Sequence, residues 1–141
     1  MSIRAARNED AGAVSGLATQ LGYPSRPEET EERLRSLSGH PDHAVLVAEE
    51  EGTVVAWLHI RGSHFIESEP FAEIAGLVVD EHHRGRRIGE SLVDAAAAWA
   101  RERGYATLRV RSNVIRERAH AFYERQGFGR IKNQVVFQRK L

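Results

Sequence analysis

The segment HHRGRRIGESL, residues 82–92, places three arginines and two glycines between an apolar stretch and an amphipathic one. Glycine gives the backbone freedom and lets another molecule approach the main chain, while arginine carries a permanent positive charge. A helix that begins at Arg86 or Arg87 would leave its first N–H groups unpaired at the positive end of its dipole. These properties together predict a site for an anion such as a phosphate. The alternative is an ordinary strand-to-helix turn with solvated arginines.

The composition limits the kind of protein that carries this segment. The 141 residues fit a single domain over residues 1–141, which is long enough to bury a core without disulfides. Lys+Arg and Asp+Glu are both 20, so the net charge of zero provides no general attraction to nucleic acid or membrane. The absence of cysteine excludes disulfides, thiolate metal ligands and cysteine nucleophiles. Since no apolar run approaches the length of a membrane span or a signal peptide, we expect a cytoplasmic protein.

The spacing of apolar residues predicts the elements that position the arginine-rich segment. We expect helices between Asn8 and Gly22, from Pro27 to Gly39, from Ile88 to Gly104, and over 116–126. We expect strands at 2–6, 44–50, 54–62, 71–79, 106–112 and 135–141. Because a hairpin dominates the first half and helices separate the strands of the second, the pattern predicts an α/β fold with a mixed sheet covered by helices.

Two segments together resemble the GNAT superfamily of acetyl-CoA-dependent N-acetyltransferases. They are AEIAGLVVDEHHRGRRIGESLVDAA and, further along the chain, RERAHAFYERQGF, so the resemblance is close over residues 71–128. The family motif has glutamine or arginine, a glycine three residues later, and glycine or alanine two residues after that. Arg84 and Gly89 match this motif, whereas Arg87 stands where the first glycine is usual. The resemblance implies a GNAT-like α/β fold, a central, mostly antiparallel mixed sheet of about six to seven strands flanked by about four helices.

The resemblance also implies where acetyl-CoA, the cosubstrate, would bind. The pyrophosphate would lie on the loop and the first helical turn, which comprise Arg84, Gly85, Arg86, Arg87, Ile88, Gly89 and Glu90. The pantetheine arm would pair like an added strand with the main chain of Leu77, Val78 and Val79. Gly76 precedes these residues, and a glycine inside a strand often marks a bulge or a close approach. A bulge there would free an N–H near Leu77 to stabilise the oxyanion of the reacting thioester.

Two residues are implied as catalytic. The tyrosine of the second segment, Tyr123, would protonate the departing thiolate of coenzyme A, although its helical spacing also fits a core aromatic. Glu73 lies in an otherwise apolar strand, where it would take the proton of the amine or, alternatively, pair with an arginine. The asparagine that is common seven residues before the tyrosine is Arg116 here, so we expect Arg116 or Asn113 to contact the cofactor.

The reaction implied by the resemblance is direct attack of a primary amine of a small molecule on the thioester in a ternary complex. A protein lysine or N-terminal acetyltransferase and a non-catalytic acyl-CoA-binding sensor are the alternatives. A nucleic-acid-binding role for the arginines is disfavoured by the zero net charge. The seven histidines follow no recognised zinc pattern, so we expect no metal, and His59 and His64 are expected to flank the acceptor pocket instead. Members of the family often dimerise, which makes a homodimer one expectation.

Overall fold

The computed structural model describes residues 1–141 and contains five β-strands and four α-helices. The strands are β1 Ser2–Ala5, β2 His43–Glu50, β3 Thr53–Ser63, β4 Phe71–Val79 and β5 Leu108–Val110. The α-helices are α1 Ala11–Leu21, α2 Pro27–Leu37, α3 Ile88–Glu102 and α4 Glu117–Arg125, with short 3-10 turns at Asn8–Asp10 and Glu81–His83. These elements divide into two compact units, Met1–Val110 and Arg111–Leu141. No helix is both long and apolar enough to cross a membrane.

The five strands form one sheet in the order β1-β2-β3-β4-β5. Each of the first three neighbouring pairs is antiparallel, whereas β4 and β5 are parallel. A parallel pair needs a long crossover between its strands, and α3 provides it. The prediction of a mixed, mostly antiparallel sheet with helices is therefore confirmed.

The core of the first unit lies where the sheet packs against its helices, and β3 shows how the sequence produces it. Leu58 and Ile60 are 0 % exposed, while His59 and Arg61 are partly exposed. Because side chains of a strand point alternately to its two faces, the apolar pair lies on one face and the polar pair on the other. The helices α1 and α3 both contact β3 and β4, and each has a stripe of buried apolar side chains, including Val14, Leu17, Leu92 and Ala96.

The predicted number of strands was wrong. The sheet has five strands rather than six to seven, and residues 135–141, predicted as a closing strand, contain no regular secondary structure. Apolar side chains in this segment are exposed, with Val136 at 82 % and Phe137 at 90 %. A run of β-forming residues becomes a strand only where a neighbouring strand accepts its hydrogen bonds, and these residues are not paired in a ladder.

Candidate functional site

The strand β4 carries a bulge and, after it, a stretch of main chain that is open on one side. Cα pairing with β3 joins Ile60 to Ile74 and His59 to Gly76, which leaves Ala75 as the extra residue of β4. Pairing with β5 ends at Ile74, although β4 continues to Val79. Residues 75–79 therefore have no strand beside them on that side, and the predicted pantetheine contacts Leu77, Val78 and Val79 all lie within this stretch.

Gly76 follows the bulge and lies under the ring of Trp57. A Cβ atom at position 76 would come within 2.9 Å of Cζ3 and Cη2 of Trp57, which is closer than such atoms approach. The glycine is therefore required by a close contact, as its position in a strand predicted. The indole Nε1 of Trp57 is buried without a hydrogen-bond partner.

The loop after β4 leads into a helix whose first amides are available. Arg87 is the N-cap of α3, and no side chain caps this end of the helix. The main-chain N–H of Ser91 donates to the carbonyl oxygen of Arg87 at 3.0 Å and begins the intrahelical ladder. The main-chain amides of the three preceding residues, Ile88, Gly89 and Glu90, have no intrahelical carbonyl oxygen to donate to, because the first turn of a helix has no earlier turn before it. Since the helix dipole is positive there, the helix start is suited to an anion.

The backbone of this loop explains the departure from the family motif. Gly85 has φ of +81°, and Arg87 has φ of +61° and ψ of +18°, so both adopt the left-handed conformation. Arg87 thus keeps the backbone shape for which glycine is the usual choice, at a cost of roughly 1–2 kcal/mol. Its guanidinium group, like those of Arg84 and Arg86, belongs to an exposed residue at the start of α3.

A hydrogen-bonded clamp fixes the start of this loop to the end of α1. The side-chain amide of Gln20 donates to Oδ1 of Asp80 at 2.9 Å, and its Oε1 accepts the main-chain N–H of Glu81 at 3.1 Å. His83 completes the clamp through Nδ1, which lies 2.6 Å from Oδ2 of Asp80. The hydrogen bonds from Gln20 and His83 hold the pKa of Asp80 below its ordinary value. The carboxylate therefore stays ionised at neutral pH and keeps accepting both bonds.

Replacing Gln20 by alanine is expected to raise the KM for acetyl-CoA about tenfold with little change in kcat. In the wild-type protein two hydrogen bonds of Gln20, worth about 0.5–1.5 kcal/mol each, hold the loop in one conformation. The variant loses both of them. Steady-state kinetics with acetyl-CoA as the varied substrate measures this effect. Thr19→Ala is the matched control, because its hydroxyl donates only within α1, to the carbonyl oxygen of Ser15 at 3.1 Å. Equal KM values for the two variants would show that the clamp has no influence on the loop.

Glu73 lies in a row of polar residues that crosses the sheet. It is 7 % exposed, and its Cα partners are Arg61 on β3 and Arg109 on β5. The guanidinium carbon of Arg109 lies 3.9 Å above the ring centroid of Phe71. Glu73 is thus buried as the sequence indicated, with arginine positions on both neighbouring strands. This arrangement is compatible with a paired carboxylate and with a base, and the catalytic role stays a prediction.

The second unit contains the remaining predicted residues, Tyr123, Asn113 and Arg116. The ring of Tyr123 packs edge-on against Phe122 at 5.2 Å and Phe128 at 5.6 Å between centroids. Burial raises the pKa of Tyr123, so its hydroxyl stays protonated at neutral pH. Both interpretations of this residue, core aromatic and proton donor, are therefore compatible with its surroundings.

Asn113 and Arg116 form the turn that begins α4. Oδ1 of Asn113 accepts the N–H of Ile115 at 3.2 Å, and the main-chain oxygen of Asn113 accepts the N–H of Arg116 at 3.0 Å. The same oxygen lies 2.8 Å from Nε2 of His120. Arg116 is the N-cap of α4 and is exposed. Asn113 therefore has a structural role in the turn, and the predicted contacts of both residues with the cofactor stay predictions.

Sequence reasoning missed a pair of histidines on β2 and β3. Nδ1 of His43 lies 2.9 Å from Nε2 of His59, and burial, the largest cause, lowers the pKa of both rings, that of His59 to about 4. The only signal in the sequence is that both positions fall on strands of one hairpin. The structure contains no group of three or more His, Cys, Asp or Glu side chains arranged to hold a metal ion.

The low pKa of His59 predicts that the protein loses stability in mild acid. The unfolded chain binds a proton at this ring below pH 6.5, whereas the folded chain does so only below about 4. The free energy of unfolding should therefore fall as the pH decreases through this window, by on the order of 2 kcal/mol from this ring. Urea unfolding at pH 7 and pH 4.5 tests this, with His59→Gln as the reference. Equal pH dependence in the two proteins would contradict the assignment.

One sequence family and one curated relative match most of this chain. The sequence model of the acetyltransferase (GNAT) family matches residues 12–128. An aminoglycoside N(6')-acetyltransferase type 1 from Stenotrophomonas maltophilia is 29 % identical over 144 residues, covering 99 % of this chain and 94 % of that protein. An uncharacterized N-acetyltransferase from Methanocaldococcus jannaschii is 38 % identical over 63 residues, covering 45 % of this chain and 28 % of that protein.

Solved structures share the fold over the whole chain. A crystal structure of an aminoglycoside 6'-N-acetyltransferase from Acinetobacter haemolyticus has a TM-score of 0.88 at 19 % identity, covering 100 % of this chain and 99 % of that one. Another aminoglycoside N-acetyltransferase, solved in complex with CoA, has a TM-score of 0.82 at 17 % identity, covering 99 % and 100 %. At these identities the likeness concerns the fold.

Proposed function

Because the chain belongs to the acetyltransferase (GNAT) family, we propose that it transfers the acetyl group of acetyl-CoA to a primary amine of a small molecule. One observation carries the proposal: the open edge of β4, residues 75–79, leads through a short loop to a helix start with available amides. An extended arm with peptide-like amides fits the first feature and a pyrophosphate fits the second. Pantetheine and pyrophosphate are the two corresponding parts of coenzyme A.

Each part of the donor has a proposed place. The pyrophosphate accepts hydrogen bonds from the amides of Ile88, Gly89 and Glu90, and Arg84, Gly85, Arg86 and Arg87 surround it. The pantetheine arm adds to β4 along Leu77, Val78 and Val79. Arg116 or Asn113 supplies a further contact to the cofactor.

The chemistry is direct transfer in a ternary complex. Glu73 takes a proton from the acceptor's ammonium group, which makes the nitrogen nucleophilic. The nitrogen attacks the thioester carbon, and an amide of the bulged segment near Leu77 stabilises the oxyanion that forms. When the carbon–sulfur bond breaks, Tyr123 donates its hydroxyl proton to the thiolate of coenzyme A. The second proton of the former ammonium group leaves the nitrogen as the amide forms and restores the hydroxyl of Tyr123. Much of the rate acceleration comes from binding both substrates side by side, which aligns the amine nitrogen with the thioester carbon.

The acceptor is proposed to be a small molecule with one or more primary amines. The names of the curated relative and of the similar structures, aminoglycoside N-acetyltransferases, support this class. The segment that begins at the clamp residue Gln20, residues 20–25, and the end of β3 near His64 are proposed to line its site. They lie at the ends of α1 and β3, outside the elements that hold the donor.

A panel of primary amines with acetyl-CoA tests the proposal. We expect the free thiol to appear at a rate that depends on the amine, and mass spectrometry to find the amine heavier by one acetyl group. Release of thiol at the same rate with and without amine, or no release with any aminoglycoside, polyamine or amino acid in the panel, would contradict the proposal.

A further inference from the structure

The last residues of the chain expose large apolar side chains that have no part in the proposed reaction. Residues 130–141 contain no helix and no strand. Within them, the exposed large apolar residues include Val135, Val136, Phe137 and Leu141. Soluble proteins rarely leave so many large apolar side chains of one short segment in water, and such a cluster marks a contact with another molecule.

The sequence of this segment is that of a β-strand. Its run Val-Val-Phe has a high β propensity, and neither proline nor glycine interrupts residues 135–141. In an extended conformation alternate side chains share a face, so Val135, Phe137 and Leu141 would lie on one side, together with Arg139. The segment therefore has the residues of a strand with one mainly apolar face, and it lacks a neighbouring strand that accepts its hydrogen bonds.

The outer edge of β5 has the complementary deficiency. β5 is the last strand of the sheet and pairs only with β4. The Cα partners of Leu108 and Val110 on β4 are Ala72 and Ile74, which are at most 2 % exposed, so all four side chains point to the core face. Leu108 and Val110 are themselves only partly buried. An added strand with an apolar face would cover these two side chains and use the main-chain groups of the open edge.

We propose that two copies of the chain form a symmetric dimer in which residues 135–141 of each copy add as a strand to β5 of the other. Val135 and Phe137 of one copy then pack beside Leu108 and Val110 of its partner and continue the core face of the sheet. The inference concerns a surface outside the proposed acetyl-transfer site and does not rest on that reaction.

The second copy is the occupant that the composition of the chain favours. Every copy carries one strand segment without a ladder and one open edge, so an exchange between two copies satisfies both segments and both edges and leaves none for a third copy. Such an exchange is closed, and it gives a dimer rather than a fibre. The net charge of zero provides no general repulsion between two copies.

The first test is the mass of the full chain in solution. Sedimentation equilibrium of the wild-type protein should give the mass of two chains. Phe137→Asp should raise the dissociation constant of the dimer at least about a hundredfold, because an unpaired carboxylate would be buried at the interface and the change occurs twice in a symmetric dimer. Residue 137 is 90 % exposed in the single chain, so the separated variant should keep its helices and strands in circular dichroism.

Two control variants separate this interface from a general effect of added charge. Ile66→Asp replaces another fully exposed apolar residue, in the connection between β3 and β4, and should keep the wild-type dissociation constant. Gln138→Asp introduces the same group one residue further along the segment, on the opposite face of the strand, and should also stay dimeric. If Phe137→Asp does not fold, Val135→Asp replaces it, since it lies on the same face.

Cross-linking distinguishes an exchanged strand from one that folds back on its own chain. The chain has no cysteine, so Thr107→Cys before β5 and Gln138→Cys in the segment introduce the only two thiols. Equal amounts of ¹⁴N-labelled and ¹⁵N-labelled chains carrying both changes are unfolded together, refolded and treated with a flexible bismaleimide. Exchange should give cross-linked pairs of one light and one heavy peptide, whereas pairing within a chain gives only pairs of the same label.

The outcomes decide the proposal whether or not the protein acetylates an amine. A dimer that Phe137→Asp dissociates, with mixed cross-linked pairs, supports the exchange. A wild-type monomer would leave the segment to its own chain or to a different protein, and it would overturn the proposal. A dimer that Phe137→Asp leaves intact, or cross-links only within one chain, would overturn it as well. The proposed acetyl transfer stands or falls separately, on the panel of amines.

Discussion

Replacing Tyr123 by phenylalanine is expected to lower kcat about a hundredfold while the KM for acetyl-CoA stays nearly constant. The hydroxyl supplies a proton that is needed only as the carbon–sulfur bond breaks, so its loss affects the transition state and not the binding of the donor. Phenylalanine keeps the ring that packs against Phe122 and Phe128. Steady-state release of thiol, with acetyl-CoA and then the amine as the varied substrate, gives both constants.

Tyr105→Phe is the matched control for this prediction. It removes a tyrosine hydroxyl that donates to Oδ1 of Asp42 at 2.6 Å and takes no part in the proposed proton transfers. Because this hydroxyl also lies 3.2 Å from Nε2 of His64, near the proposed acceptor site, the comparison is made on kcat at saturating amine. We expect a lower melting temperature and an unchanged kcat for this variant. A kcat for Tyr123→Phe within a factor of about two of the wild-type value would remove this tyrosine from the mechanism.

Replacing Gly85 by valine is expected to raise the Kd for acetyl-CoA at least about tenfold. Position 85 has φ of +81°, which a β-branched residue adopts only with strain, so the loop should shift away from the shape that presents its amides. No atom lies within 4 Å of the added Cβ, so the effect acts through the backbone rather than through a clash. Isothermal titration calorimetry with acetyl-CoA measures the change.

Gly104→Val provides a control with nearly the same strain elsewhere. Gly104 follows α3, has φ of +84° and also has no atom within 4 Å of an added Cβ. Gly104→Val should lower the melting temperature by about as much as Gly85→Val does, and it should keep the wild-type Kd for acetyl-CoA. Equal losses of acetyl-CoA affinity in the two variants would mean that global destabilisation, and not the loop, weakens binding.

Helix ends, which depend on local sequence signals, were predicted correctly from the sequence. The extents of strands, which depend on pairing with a neighbouring strand, were predicted less accurately. Gly22 ends α1 with φ of +96°, as a glycine after an apolar stripe indicates. In contrast, the strand predicted at 106–112 spans only Leu108–Val110, and the one at 135–141 is absent. Strand length is determined by the neighbour that accepts the hydrogen bonds, which no local pattern specifies.

The candidate site also combines features that the sequence indicated with contacts that it did not. The bulge region at Gly76 and the left-handed loop at Gly85 were indicated by glycines in unusual places. The clamp of Gln20 and the pair of histidines join residues that are far apart in the sequence. Nothing in the residue types requires these contacts, because they arise from the register of the hairpin and the packing of α1 beside the loop.

A crystal structure of the protein with bound acetyl-CoA tests the central claim most directly. We predict that the pyrophosphate oxygens accept hydrogen bonds from the main-chain amides of Ile88, Gly89 and Glu90, and that the pantetheine arm runs along residues 77–79 of β4. Acetyl-CoA bound elsewhere on the protein, with this helix start and this strand edge unoccupied, would contradict the account.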